Sequence, residues 1–229
     1  MIGVELLSSQ SLTVGWLIYA PILVWAICRS PWVELFTDSR RQHLVLGTVL
    51  ALFLLWLVRR DFDTGVSYHF IGMTAVTLLL DWPLAIVGGL VAQIGLVLLG
   101  RQDMLAMGVN GALFILLPVL VTECCAIAVE RAQPRNLFVY IFVSGFFAAA
   151  LAALLCLVLA LTLLWYDEIF ALPYWLEDFI GYLWLIIFPE AFINGMVVSA
   201  LVVFCPEWLE TFNRTRYLSA PCKDDDPKP

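Results

Sequence analysis

Two histidines, His43 and His69, are the only side chains of ordinary neutral-range basicity, and they sit far apart in the chain. No GxSxG, HExxH or glycine-rich phosphate loop accompanies them, so hydrolysis and phosphoryl transfer find no machinery. The reading is therefore not an enzyme. His69 has better company for binding a metal. Met73 follows it by one helical turn, while Met104 and Met107 stand at i, i+3 in a later segment. Imidazole with thioethers is a soft donor set that suits monovalent copper and tolerates other late transition metals. The alternative is that the methionines fill gaps and His69 hydrogen-bonds a neighbour.

Glu190 is the second candidate, in Phe188-Pro189-Glu190-Ala191-Phe192-Ile193-Asn194-Gly195. An ionisable group inside such an apolar run is costly and is a candidate for structure or for proton relay. Glu123 lies nearer a segment end, where it is expected to reach the interface or a basic partner.

The elements that hold these residues are set by composition. Of 229 residues, 62% are hydrophobic and 14% charged, with mean hydropathy +0.94, which leaves too little polar surface for a soluble domain. The apolar residues fall in seven runs: Leu12 to Cys28, His43 to Val58, Tyr68 to Leu80, Trp82 to Leu99, Met104 to Val129, Leu137 to Trp165, and Ile180 to Phe204. A bilayer core about 30 Å thick asks for about 20 helical residues per crossing. The third run is short and joins the fourth through Asp81-Trp82-Pro83, as a tight helical hairpin or a re-entrant dip. Barrel strands would alternate apolar and polar, whereas Ala51 to Val58 is apolar throughout. The expected fold is all-α, a polytopic membrane protein of about seven transmembrane helices. Residues 1–218 form a single membrane-embedded domain, and 219–229 a disordered cytosolic tail.

Basic residues give the orientation. Arg29, Arg40, Arg41, Arg131, Arg135, Arg214, Arg216, Lys223 and Lys228 fall on one side, and Arg59, Arg60 and Arg101 on the other. The amino terminus is thus expected outside and the carboxyl terminus in the cytosol. MIGVELL lacks the positive start of a cleavable signal, so the free amino end is expected to survive on the outer face. Five of the six cysteines lie toward the reducing cytosol, and Cys156 is alone in the outer part of a span. The net charge of −7 comes largely from an outer loop and the tail, where it reads as solvated. Pro173 is expected to break any helix within that outer loop. Ser144, Ala148 and Ala152, with Ala85 and Gly89, make small-residue stripes for close helix contact, inside the chain or against another subunit.

Gly65-Val66-Ser67-Tyr68-His69-Phe70-Ile71-Gly72, Leu78-Leu79-Leu80-Asp81-Trp82-Pro83, Leu98-Leu99-Gly100 and Leu105-Ala106-Met107-Gly108-Val109-Asn110 occur in that order. Glu190, Asn194-Gly195-Met196 and Cys205-Pro206-Glu207-Trp208-Leu209 close the series, and Leu6-Leu7-Ser8 opens it. Taken together, the series resembles the CbiM-type cobalt/nickel permease subunit, the substrate-capture component of energy-coupling-factor (ECF) importers. The resemblance implies seven spans, an outer amino terminus, and partners that this chain lacks: a membrane coupling subunit and cytosolic ATPases.

It also implies a nearly planar nitrogen site for a divalent cargo ion. The donors are the terminal amine, the backbone nitrogen and imidazole of a second-position histidine, and a histidine in a Ser-x-His segment. Here the amine is that of Met1 and the later histidine is His69, with Asn110 orienting loops and Glu190 holding the core or relaying a proton. The second residue is Ile2, however, and the proline-aspartate-glycine stretch that normally follows is absent. Either cobalt or nickel gave way to a softer ion such as copper, held with Met73, Met104 and Met107, or the chain is a scaffold that kept the fold and lost transport.

Overall fold

In the computed structural model the described residues are 1–62, 65–133, 136–169 and 172–218, and they are mostly helical. The tail beyond residue 218 lies outside them. The elements are α1 (Ser9–Arg29), α2 (Trp32–Thr37), α3 (Ser39–Leu57), β1 (Arg59–Asp61), β2 (Ser67–His69), α4 (Met73–Leu80), α5 (Trp82–Leu98), α6 (Met107–Ala132), α7 (Leu137–Tyr166), α8 (Leu172–Phe204) and α9 (Arg214–Leu218). Five of them, α1, α3, α6, α7 and the Leu183–Phe204 part of α8, are long and apolar enough to cross a membrane. Their outward faces carry Leu17 and Val24, Leu46 and Leu50, Leu120, Val158 and Val203, all exposed. In water such a belt would be a liability; in lipid it is the preferred face.

The short pair α4 and α5 explains why the third run looked ambiguous. All eight residues of α4 are buried. The helix contributes only about 12 Å of rise, and the strand β2 ahead of it, residues 67–69, adds about 10 Å. Extended backbone at this depth survives only where protein satisfies its polar groups. Trp56 Nε1 donates to the Ile71 carbonyl at 2.9 Å, and Gly72 takes the left-handed conformation (φ 68°) that starts α4. Asp81, also at positive φ (70°), turns the chain into α5, with Pro83 in that helix's first turn.

Close helix contact falls inside the chain. Ser144, Ala148, Ala149, Ala152 and Ala153 are buried, as are Ala85, Gly88 and Gly89, so the small-residue stripes are spent on internal packing. The tightest crossing is α1 on α6: a Cβ added at Gly15 would stand 2.5 Å from the Val109 side chain and 2.7 Å from its backbone nitrogen. α6 carries a π-helical turn at Ala112–Leu116.

Two expectations about the outer loops are corrected. Pro173 does not break a helix; it falls in the first turn of α8, where a proline costs no hydrogen bond. Asp167 is not a solvated loop charge. It accepts from the Ser8 amide at 3.0 Å and the Ser11 hydroxyl at 2.9 Å, tying the start of α1 to the end of α7. Burial alone would raise its pKa, but the hydrogen bonds from Ser8 and Ser11 outweigh that and hold it below the ordinary value. Among the described residues Glu123 makes no ion pair with a basic partner either, and its buried Oε1 has no hydrogen-bond partner.

Candidate metal site

The first three residues add a strand to the β1–β2 hairpin. β1 and β2 pair antiparallel with Arg59 opposite His69, and on the free edge of β2 the Gly3 amide donates to the Gly65 carbonyl at 2.9 Å. Ile2 bridges Val66, the Ser67 amide donates to the Met1 carbonyl at 2.8 Å, and the Met1 amine donates to the Ser67 carbonyl. Asn110 of α6 closes the other side of this strand. Its Oδ1 accepts from the Ile2 amide at 2.8 Å and its Nδ2 donates to the Ile2 carbonyl at 3.0 Å, so one side-chain amide copies a neighbouring strand. Asn110 is fully buried. Its oxygen and nitrogen can serve both Ile2 groups at once, which no apolar residue there can do.

Met1 is 5% exposed and His69 4%. Burial, followed by the charge of Arg59, lowers the amine to a pKa of about 5. The amine is therefore neutral at pH 7. The imidazole Nδ1 lies 2.9 Å from the Phe70 carbonyl, and a carbonyl only accepts, so the proton sits on Nδ1. That leaves Nε2 with a bare lone pair, and it has no hydrogen-bond partner. The rings of Trp56 and Phe114 flank it at centroid distances of 5.6 and 5.7 Å. A buried, correctly tautomerised, unpartnered imidazole nitrogen beside a neutral amine is suited to a metal ion.

Glu190 lies deeper, one layer below. Its carboxylate accepts from the Ile71 and Gly72 amides, both at 2.8 Å, while Asn194 Oδ1 accepts from the Ala75 amide at 2.9 Å. Asn194 Nδ2 returns a bond to the same carboxylate at 2.8 Å. These two residues of α8 supply the acceptors that the first turn of the buried α4 lacks.

The methionines fare unequally. Met73 is fully buried, but His69 lies in β2 and the helix begins only at Met73, so the one-turn spacing that put them on a common face does not apply. Met107 is buried at the start of α6. Met104 is 66% exposed on the turn before it and turns away from the interior. Arg59 is a strut: its Nε is 2.8 Å from Asp61, and its guanidinium donates to the Arg101 carbonyl at 2.6 Å. Among the described residues no three His, Cys, Asp or Glu side chains gather as a ready-made cage, so any donor set here needs the amine.

By class this is a multi-pass helical membrane protein, and it buries an amine and a bare imidazole nitrogen near one end. The chain is a member of the CbiM family, the cobalt uptake substrate-specific transmembrane region, which matches residues 2–208. Two solved structures share the fold at 17% identity. One, a truncated transition metal transporter, has a TM-score of 0.66 and covers 88% of this chain and 98% of its own. The other, a transition metal transporter, has a TM-score of 0.61 and covers 88% and 92%. No curated protein matches the sequence.

Proposed function

We propose that this chain is the substrate-capture subunit of an ECF-type importer for a transition-metal ion, the membrane component of metal uptake that its family defines. The observation that carries the reading is the unpartnered Nε2 of His69, buried beside the neutral Met1 amine. The ion reaches the site from the outer face of a bacterial inner membrane. The strand Met1–Gly3 and the β1–β2 hairpin cover it, and a coupling subunit with cytosolic ATPases drives its release inward. In this reading the chain crosses seven times, with α4 and its extended approach as one crossing, the amino terminus outside and the carboxyl terminus in the cytosol. Met1 and His69 are donors; Asn110 and Glu190 hold the backbone around them.

One observation favours a second reading, a membrane scaffold without cargo. Position 2 is isoleucine, and its amide is engaged by Asn110 rather than free to bind. The test is direct. The full chain is purified in detergent and titrated separately with nickel, cobalt and copper, alongside His69→Ala. Binding of one ion that is lost in the variant supports capture; equal binding by both leaves the scaffold.

A further inference from the structure

The lipid-facing flank of the bundle is not flat. α3 and α8 part over α4 and leave a groove of about 740 Å³ between them. α4 is its floor, through Ala75 and Leu79. α3 forms one wall, through Gly47, Ala51 and Leu55, and α8 the other, through Ile193, Val197 and Leu201. On each wall these residues recur every three or four positions, so each helix gives one face to the groove. Gly47, Ala51 and Val197 are exposed, which leaves the groove open on its outer side. Gly47 is a notch in its wall: a Cβ added there meets nothing within 4 Å.

Charge stands at one end only. Arg40 and His43, at the start of α3, line the mouth together with Trp208, just past the foot of α8. Further in, Thr48 and Asn194 are the only polar side chains, and both are spent. The Thr48 hydroxyl donates to the Leu44 carbonyl at 2.7 Å, and Asn194 serves the Ala75 amide and Glu190. The depth fits half a bilayer. Along α8 the lining begins at Ile193, the middle of the Leu183–Phe204 span, and from there to Phe204 is about 17 Å. The hydrocarbon of one leaflet is about 15 Å deep. A partner's transmembrane helix would press on the whole span, whereas an amphiphile of one leaflet with its head at Arg40 occupies this half.

We propose that the groove holds an anionic phospholipid of the leaflet on the Arg40 side, its acyl chain along α4 and its phosphate on the Arg40 guanidinium. The carboxylates at this end are Glu207, which pairs with Arg40 at 3.0 Å, and Asp38, which accepts from the Arg40 amide at 2.9 Å. The Arg40 side chain is 64% exposed, so its pair with Glu207 is weak, and the guanidinium keeps donors to spare for a phosphate. Trp208 stands where the headgroup region meets the acyl chains, the usual place for an indole. The far end of the chain rests on Ala75, whose amide Asn194 holds, so the lipid braces α4 beside the clasp of α8. The site stands apart from the capture reading and needs no cargo ion.

The experiment uses the full chain in detergent, stripped of lipid and then mixed with dioleoyl phosphatidylglycerol or dioleoyl phosphatidylcholine, which share their chains and differ in head charge. Native mass spectrometry counts the lipids retained. The expected result is one phosphatidylglycerol per chain, held about fivefold more tightly than phosphatidylcholine, the worth of one basic side chain at a membrane surface. Arg40→Gln is expected to erase that preference, and Glu207→Gln, which frees Arg40 from its carboxylate, to enlarge it. Gly47→Phe puts a ring in the notch and is expected to displace both lipids. Arg40→Gln alters only an exposed side chain, so the test holds even where Gly47→Phe folds poorly. Equal retention of the two lipids by the parent, an unchanged preference in Arg40→Gln, or undiminished retention in folded Gly47→Phe overturns the site. A parent that runs as a dimer and is split by Gly47→Phe also overturns it, and gives the groove to a second copy of the chain.

Discussion

His69 is held ready by where its one proton sits. The Phe70 carbonyl keeps it on Nδ1, so in the capture reading Nε2 needs no rearrangement to meet an ion. The same logic makes pH a probe of Met1. An exposed terminal amine begins to lose its lone pair below about pH 8. Burial and Arg59 lower this one to about 5, so ion affinity is expected to stay level from pH 8 to about 5 and to fall only below that, as titrations across that range would show. Stability of the ion-free chain runs with the same shift. Between the folded and unfolded values the unfolded chain carries the extra proton, so the thermal midpoint is highest above pH 8 and declines as pH falls toward 5. Asn110 is the residue whose loss should loosen this corner without touching the donors. Asn110→Ala leaves the Ile2 amide and carbonyl without side-chain partners, at a cost of about 1–3 kcal/mol each. If one such cost is charged to the docked strand, apparent ion affinity falls by about 5- to 150-fold, measurable by the same titration.

At the scale of elements, α4 is a helix too short to stand alone, completed by side chains of α8. Glu190→Ala strips the Ile71 and Gly72 amides of their acceptor in the core, and a loss of about 2–6 kcal/mol is expected from two unsatisfied groups. Glu190→Gln keeps one acceptor oxygen and should cost about half as much; thermal unfolding in micelles compares the two. If the carboxyl relays a proton, Glu190→Gln instead abolishes uptake in vesicles with little loss of stability. Gly15→Leu tests the α1–α6 crossing. The added side chain meets the Val109 backbone, so α6 must move and Asn110 moves with it, and ion binding is expected to weaken although Gly15 touches no donor. Five of the elements were readable, because apolar runs of bilayer scale leave little choice. Their ends were not. The Pro173 expectation failed because a proline signals a break only in a helix interior, and here it opens α8. His69, Met1 and the Asn110 motif could be picked out by order along the chain. The clasp of Asp167 on Ser8 could not, since it joins residues 159 apart that no local spacing announces.

Over the whole molecule, charge is sorted into two faces. The face bearing Arg40, Arg41 and Arg216 is knitted by their ion pairs with Glu207, Glu34, Glu210 and Glu130. Exposed pairs of this kind add little stability, about 0–1 kcal/mol each, so breaking Arg40–Glu207 is expected to leave the thermal midpoint nearly unchanged. In oriented vesicles of the cysteine-free chain, a maleimide that cannot cross the bilayer is expected to label Asp81→Cys from the cytosolic side and Gln102→Cys from the outer side. Labelling of both from the outer side would make α4 and α5 a re-entrant dip and leave five crossings. The clasp of Glu190 and Asn194 on residues 71–75 gives this arrangement a mechanical consequence. His69 is two residues up the chain from an amide that the last long helix grips, and that helix runs on to the face where Glu207 meets Arg40. A tilt of α8 is therefore expected to be felt at residues 71–75 like a pull on a bell-rope, and in the importer reading a force applied at one face would reach the other without a direct contact.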